Sequence, residues 1–137
     1  MKTYHYKTCH KLILGDLHTP VSTYLKVRDF FSQSALMESS DYHGGENSRS
    51  FIGLHPLASI GINHGKAILR YPDNCTVEHI INDSYRCEEA INEFIRSFDV
   101  EGEFKNYCGL YGYTSFNAVR YFENIPAVSY THLTLPT

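Results

Sequence analysis

The residues whose types and spacing could do chemistry lie between positions 35 and 59. Leu36-Met37 runs straight into Glu38-Ser39-Ser40-Asp41, where two carboxylates flank two hydroxyls. Gly44-Gly45 supplies a turn, Glu46-Asn47-Ser48-Arg49-Ser50 follows, and Phe51-Ile52-Gly53-Leu54 is a second apolar run. This order predicts a hairpin whose polar end opens at the rim of a core, with the turn returning Arg49 beside Glu38. A carboxylate for an ammonium, a hydroxyl beside it and a guanidinium for a carboxylate form a set that can grip both ends of a free amino acid. The same pattern also suits an ordinary hairpin with solvated charges.

Other chemistries have less support. His5, His10, His55 and His64 have no Cys or carboxylate partner at finger or zincin spacing, so scattered surface or core histidines are expected rather than a metal centre. Nucleophile motifs such as GxSxG or Ser-x-x-Lys are missing, and Gly109-Leu110-Tyr111-Gly112 lacks the spacing and the lysine of a phosphate cradle. Glu88-Glu89 suits a helix N-terminus and Glu101 with Glu103 a solvated loop, so neither pair reads as an acid–base couple.

The elements that must position these residues follow from period and punctuation. Residues 3–14 alternate and end in Leu12-Ile13-Leu14, predicting one or two strands broken by Gly15-Asp16. Thr19-Pro20 starts a helix, hydroxyl at the cap and proline at the first position, and the apolar spacing carries it to about Phe31. His55-Pro56 should interrupt the strand over 51–54 and hold His55 extended. Ala58, Ile60 and Ile62 predict a strand, Asn63-His64-Gly65-Lys66 a turn, and residues 67–71 the returning strand ended by Pro72-Asp73-Asn74. Cys87, Ala90, Ile91, Phe94, Ile95 and Phe98 form an apolar helical stripe, with Gly102 as a stop. Tyr107 to Tyr113 reads as a strand whose glycines admit a close backbone, and residues 115–123 as a short helix or helical turn.

The totals bound the class. A chain of 137 residues with 42% hydrophobic and 20% charged content has globular values and is one domain or a piece of a larger one. A net charge of −3 with only 12 Lys and Arg gives no basic face for nucleic acid. No apolar run spans a bilayer, and the first residues carry no signal-peptide core, so no membrane association and a cytoplasmic location are expected. Four cysteines without a CxxC spacing are expected as free buried thiols.

The last residues, Val128-Ser129-Tyr130-Thr131-His132-Leu133-Thr134-Leu135-Pro136-Thr137, break composition with what precedes them. They back-translate, codon for codon, into the transposase adapter used in sequencing libraries, read in its reverse sense. Residues 128–137 are therefore expected to be a translated adapter tail, and residues 1–127 to be an incomplete piece of a longer protein.

In chain order several segments resemble the N-terminal part of anthranilate synthase component I, in the chorismate-utilising enzyme family. Thr19-Pro20-Val21-Ser22 precedes the first helix. Leu36-Met37-Glu38-Ser39 is similar to the family's Leu-Leu-Glu-Ser, with Met37 a conservative departure. The run from Glu46 through Ser50-Phe51-Ile52-Gly53 to Pro56 resembles a Ser-[Phe/Tyr]-Ile-Gly-x-x-Pro segment. Gly109-Leu110-Tyr111-Gly112-Tyr113 and the run from Asn117 through Val119-Arg120 to Pro126 follow, Asn117 standing where the family usually has Asp. The resemblance covers about residues 19–126. It implies an α+β sandwich, mostly antiparallel with two main helices. It implies that the complete enzyme makes anthranilate and pyruvate from chorismate, using Mg²⁺ and ammonia from a glutamine amidotransferase subunit, component II. The catalytic and Mg²⁺ residues would lie in a half not present here. It implies that this part binds L-tryptophan as feedback inhibitor, Glu38 and Ser39 holding the amino group and Arg49 lining the pocket. A para-aminobenzoate synthase component I piece and a stand-alone amino-acid-binding module are the alternatives.

Overall fold

The computed structural model describes residues 2–38 and 49–123. In chain order the elements are β1 (Tyr4–Lys7), α1 (Pro20–Val27), β2 (Ser34–Glu38) and β3 (Ser50–Leu54). They continue as β4 (Ser59–Asn63), β5 (Lys66–Arg70), β6 (Thr76–Ile80), α2 (Cys87–Arg96) and β7 (Phe98–Glu101). Single 3-10 turns follow α1 at Arg28–Phe30 and β7 at Lys105–Tyr107, and a longer one closes the described chain at Phe116–Tyr121. The class is α+β. β2–β3 and β4–β5–β6 are antiparallel, whereas β1 and β7 pair in parallel.

The core is α2 laid on the three-stranded sheet. Ala67 and Leu69 of β5 and Ala90 and Phe94 of α2 are buried together, and Ile60, Ile62, Val77, Tyr71, Tyr85 and Phe98 pack around them. β5 alternates buried and exposed side chains because it is the central strand beneath the helix. The β4–β5 turn is tight, with Asn63 opposite Lys66. His64 (φ 49°) and Gly65 (φ 72°) take the left-handed conformations that such two-residue loops require. Of the four residues expected to form the turn, Asn63 and Lys66 are instead strand residues, and the left-handed positions fall on His64 and Gly65.

Helix α1 starts as its residues dictate. Thr19 Oγ1 accepts from the Ser22 N–H at 3.1 Å, and Ser22 Oγ accepts from the Thr19 N–H at 3.1 Å, a reciprocal cap with Pro20 next in line. Helix α2 gains a similar start from Glu89, whose carboxylate accepts the Arg86 N–H at 2.5 Å. Asn82 Oδ1 accepts from the Ser84 and Tyr85 N–H groups, each at 2.9 Å, and so folds the turn that leads into α2.

Several expectations change. Phe98 does not extend the α2 stripe, and Ile95 is exposed. The helix ends at Ser97, whose hydroxyl donates to the Glu93 carbonyl at 3.0 Å and whose carbonyl accepts the Tyr4 N–H at 2.8 Å. β1 thereby captures the chain, and Phe98 stacks on Tyr4 and Tyr71 as the first residue of β7. Leu12, Ile13 and Leu14 form no strand and are 83%, 77% and 81% exposed, because β1 finds its partner only over Tyr4–Lys7. Residues 76–80, unassigned from sequence, are the edge strand β6. His55 takes φ 52° instead of an extended conformation; its N–H donates to the Gln33 carbonyl at 3.1 Å while the chain turns out of β3. Residues 107–113 form no strand, and among the described residues nothing lies within 4 Å of a Cβ built on Gly109 or Gly112, so no described backbone explains those glycines. All four thiols are free, but only Cys87 is buried. The tail at 128–137 lies outside the described residues.

The N-terminus is pinned by charge. Lys2 Nζ lies 2.7 Å from Asp73 Oδ2, and this contact, with the Cys75 N–H, lowers the Asp73 carboxyl from 3.8 to about 2. Partial burial and then the Asp73 carboxylate push the Tyr4 phenol up to about 12. The folded Asp73 pKa is the lower one, so its stabilisation is fully present above pH 3.8 and is lost as pH falls through about 2. Asp73→Asn is therefore expected to flatten the stability profile over that window, read as urea midpoints at each pH. An effect at neutral-to-basic pH alone contradicts the pin. The gain is small because both partners are solvated.

Candidate functional site

The hairpin predicted around the opening residues is present. β2 and β3 pair in the register Leu36↔Ile52, Met37↔Phe51, Glu38↔Ser50. Helix α1 backs this hairpin, with Tyr24 Oη lying 3.4 Å from Ser34 Oγ. Pleating sends alternate residues to opposite faces, so Glu38 shares a face with Ser50 and Ile52, while Met37 shares one with Phe51. Glu38 is exposed at the end of β2, and Arg49 directly precedes β3. Ser39 and the rest of the turn lie outside the described residues.

The hairpin brings Glu38 and Arg49 to one end but not into an ion pair. Arg49 is held elsewhere. Its Nη1 donates to Tyr107 Oη at 2.6 Å, and its guanidinium carbon lies 5.8 Å from the centre of the same ring. Phe51 packs on Tyr107 and Tyr111, with ring centres 6.3 and 5.9 Å away, and Tyr111 Oη donates to the Tyr107 carbonyl at 2.5 Å. Arg49 therefore lies on the Phe51 face, edged by tyrosines, while Glu38 projects from the other. The register explains this: Glu38 pairs with Ser50, one residue beyond Arg49, and one step along a strand reverses the face.

Sequence reasoning missed Tyr107 and Tyr111. No local signal could have found them, because Tyr107 lies fifty-eight residues from Arg49.

Two further charged clusters have structural explanations. Along β1–β7, His5 faces Asp99 and Lys7 faces Glu101 across the parallel pair, and His5 Nδ1 is 3.0 Å from Asp99 Oδ2. Polar side chains that pair in register stabilise strand pairing and require no ligand. Behind α2, Tyr85 donates its hydroxyl to Glu93, His79 stacks on Tyr85 at 4.5 Å, and Glu93 Oε1 is 3.5 Å from His79 Nε2. Burial and then Glu93 raise the Tyr85 phenol. This trio fastens β6 to α2. Burial also pushes the Cys87 thiol up, which keeps it protonated and unreactive.

Among the described residues no three His, Cys, Asp or Glu side chains converge as a metal site. No described helix is long and apolar enough to cross a membrane.

The geometry thus defines a class: an α+β chain with a polar hairpin end, an acid on one face and an aromatic-flanked arginine on the other. The chain is 34% identical over 119 residues to anthranilate synthase component 1 of Pseudomonas putida. That similarity takes in 85% of this chain and 23% of the relative, so the chain spans under a quarter of its length. No family model matches the chain, and no solved structure matches it.

Proposed function

We propose that the chain is the amino-terminal, regulatory portion of an anthranilate synthase component I and carries its L-tryptophan feedback site. The observation that carries this reading is the similarity to the Pseudomonas putida enzyme across 85% of the chain. The complete enzyme would convert chorismate, with ammonia from a glutamine amidotransferase subunit, to anthranilate and pyruvate in the tryptophan pathway. Mg²⁺ would serve that reaction in the complete enzyme.

Glu38 takes the ligand's ammonium, with Ser39 accepting or donating beside it, and Arg49 takes the carboxylate. Because Glu38 and Arg49 leave the hairpin on opposite faces, the ligand sits at the hairpin's end and bridges them. The aromatic edge formed by Phe51 and Tyr107 offers the apolar surface that an indole requires.

The gene itself provides the first test. Reading the locus beyond codon 127 from an independent library is expected to show an open frame continuing into a second half able to bind chorismate. A stop codon at the adapter junction, with tight L-tryptophan binding by the short protein in calorimetry, identifies a stand-alone binding module instead.

A further inference from the structure

We propose that residues 102–123 form a strap latched onto Arg49 through Tyr107, and that a carboxylate reaching Arg49 releases it. The proposal uses the amino-acid reading of the hairpin only for the ligand's identity. After β7 the chain forms no further strand within the described residues. Lys105–Tyr107 and Phe116–Tyr121 are 3-10 turns held by local bonds, and among the described residues no backbone–backbone hydrogen bond involves residues 109–114. Such a stretch has little ladder energy to hold it in place.

What ties it down is a series of tyrosines. Tyr107 accepts from Arg49 and stacks on Phe104 at 5.5 Å, and Tyr111 packs on Phe51. At the far end Tyr121 Oη accepts the Gly65 N–H at 3.0 Å, at the turn whose Gly65 carbonyl also accepts from Ile81 at 2.8 Å. The strap thus bridges two sheets that share no strand, the β2–β3 hairpin and β4–β5–β6. Its fixture at the hairpin is the same guanidinium that an acidic ligand would take.

A phenol is a neutral acceptor, whereas a carboxylate offers two charged oxygens in a geometry that matches the guanidinium fork. A carboxylate therefore displaces Tyr107 Oη from Arg49 and leaves the strap, at its hairpin end, with its ring contacts to Phe51. Ligand occupancy is converted into strap mobility. Tyr107 is 42% exposed, so removing its hydroxyl does not threaten the core.

Hydrogen exchange of the whole chain tests this with Tyr107→Phe, which keeps the ring and deletes the acceptor. The hydrogen-bonded amides of Lys105, Tyr107 and Cys108 are expected to exchange roughly three- to tenfold faster in the variant, with β4–β6 unchanged. Acetate, compared with chloride at equal ionic strength, is expected to speed the same amides in the native protein and to add nothing in the variant. Equal exchange in the two proteins, or an acetate effect of the same size in both, overturns the strap. An L-tryptophan titration without binding overturns the amino-acid reading alone, because exchange in the variant decides the latch without any ligand.

Discussion

Phe94→Ala is expected to remove the cooperative unfolding transition of this chain, or to shift it by about 3–5 kcal/mol. Phe94 is 2% exposed and is the largest member of the four-residue buried cluster. Its ring meets Tyr71 at 5.6 Å and Phe98 edge-on at 5.2 Å, so one side chain joins α2 to β5's continuation and to β7. Truncation removes the transfer energy of a buried aromatic and leaves a hole that small neighbours, Ala67 and Ala90, cannot fill. Small domains have only about 5–15 kcal/mol in total, and a buried cluster of four among the described residues belongs at the low end. Urea unfolding followed by circular dichroism reads the change directly. A loss below about 1 kcal/mol would mean that the helix is not docked on the sheet as described.

Glu38→Ala is expected to raise the L-tryptophan concentration for half-inhibition of the complete enzyme roughly 10- to 100-fold, with ammonia-dependent turnover largely retained. That range follows from losing one charge-assisted hydrogen bond to an ammonium, about 1.5–3 kcal/mol. Glu38 is exposed at the end of β2, so its removal leaves the Met37↔Phe51 and Leu36↔Ile52 pairs intact. Ser39→Phe should act in the same direction by placing a ring where the ammonium must lie. The separation between inhibition and turnover is the informative part: a merely structural role for Glu38 would lower both together. Unchanged inhibition in both variants removes the feedback-site assignment.

The sequence by itself determined the parts whose signals are local. Thr19-Pro20 capped α1 where its donors needed an acceptor. The spacing Cys87, Ala90, Phe94 selected the buried side of α2, and the turn residues 63–66 between two alternating runs specified the β4–β5 hairpin, though not that His64 would take the left-handed position. The hairpin β2–β3 and the chemical types at its end were legible for the same reason, because short-range pairing leaves a two-residue period. Only the tertiary structure decided where distant segments meet. Phe98 left the helical stripe because β1, some ninety residues upstream, offered a parallel partner. Leu12-Ile13-Leu14 stayed exposed because no strand lay beside them, although their composition alone reads as strand. At the site, register placed Glu38 and Arg49 on opposite faces, and a tyrosine fifty-eight residues along took the guanidinium. Contacts of that separation leave no period in the sequence; they are chosen by which surfaces remain unpaired once the local elements have formed.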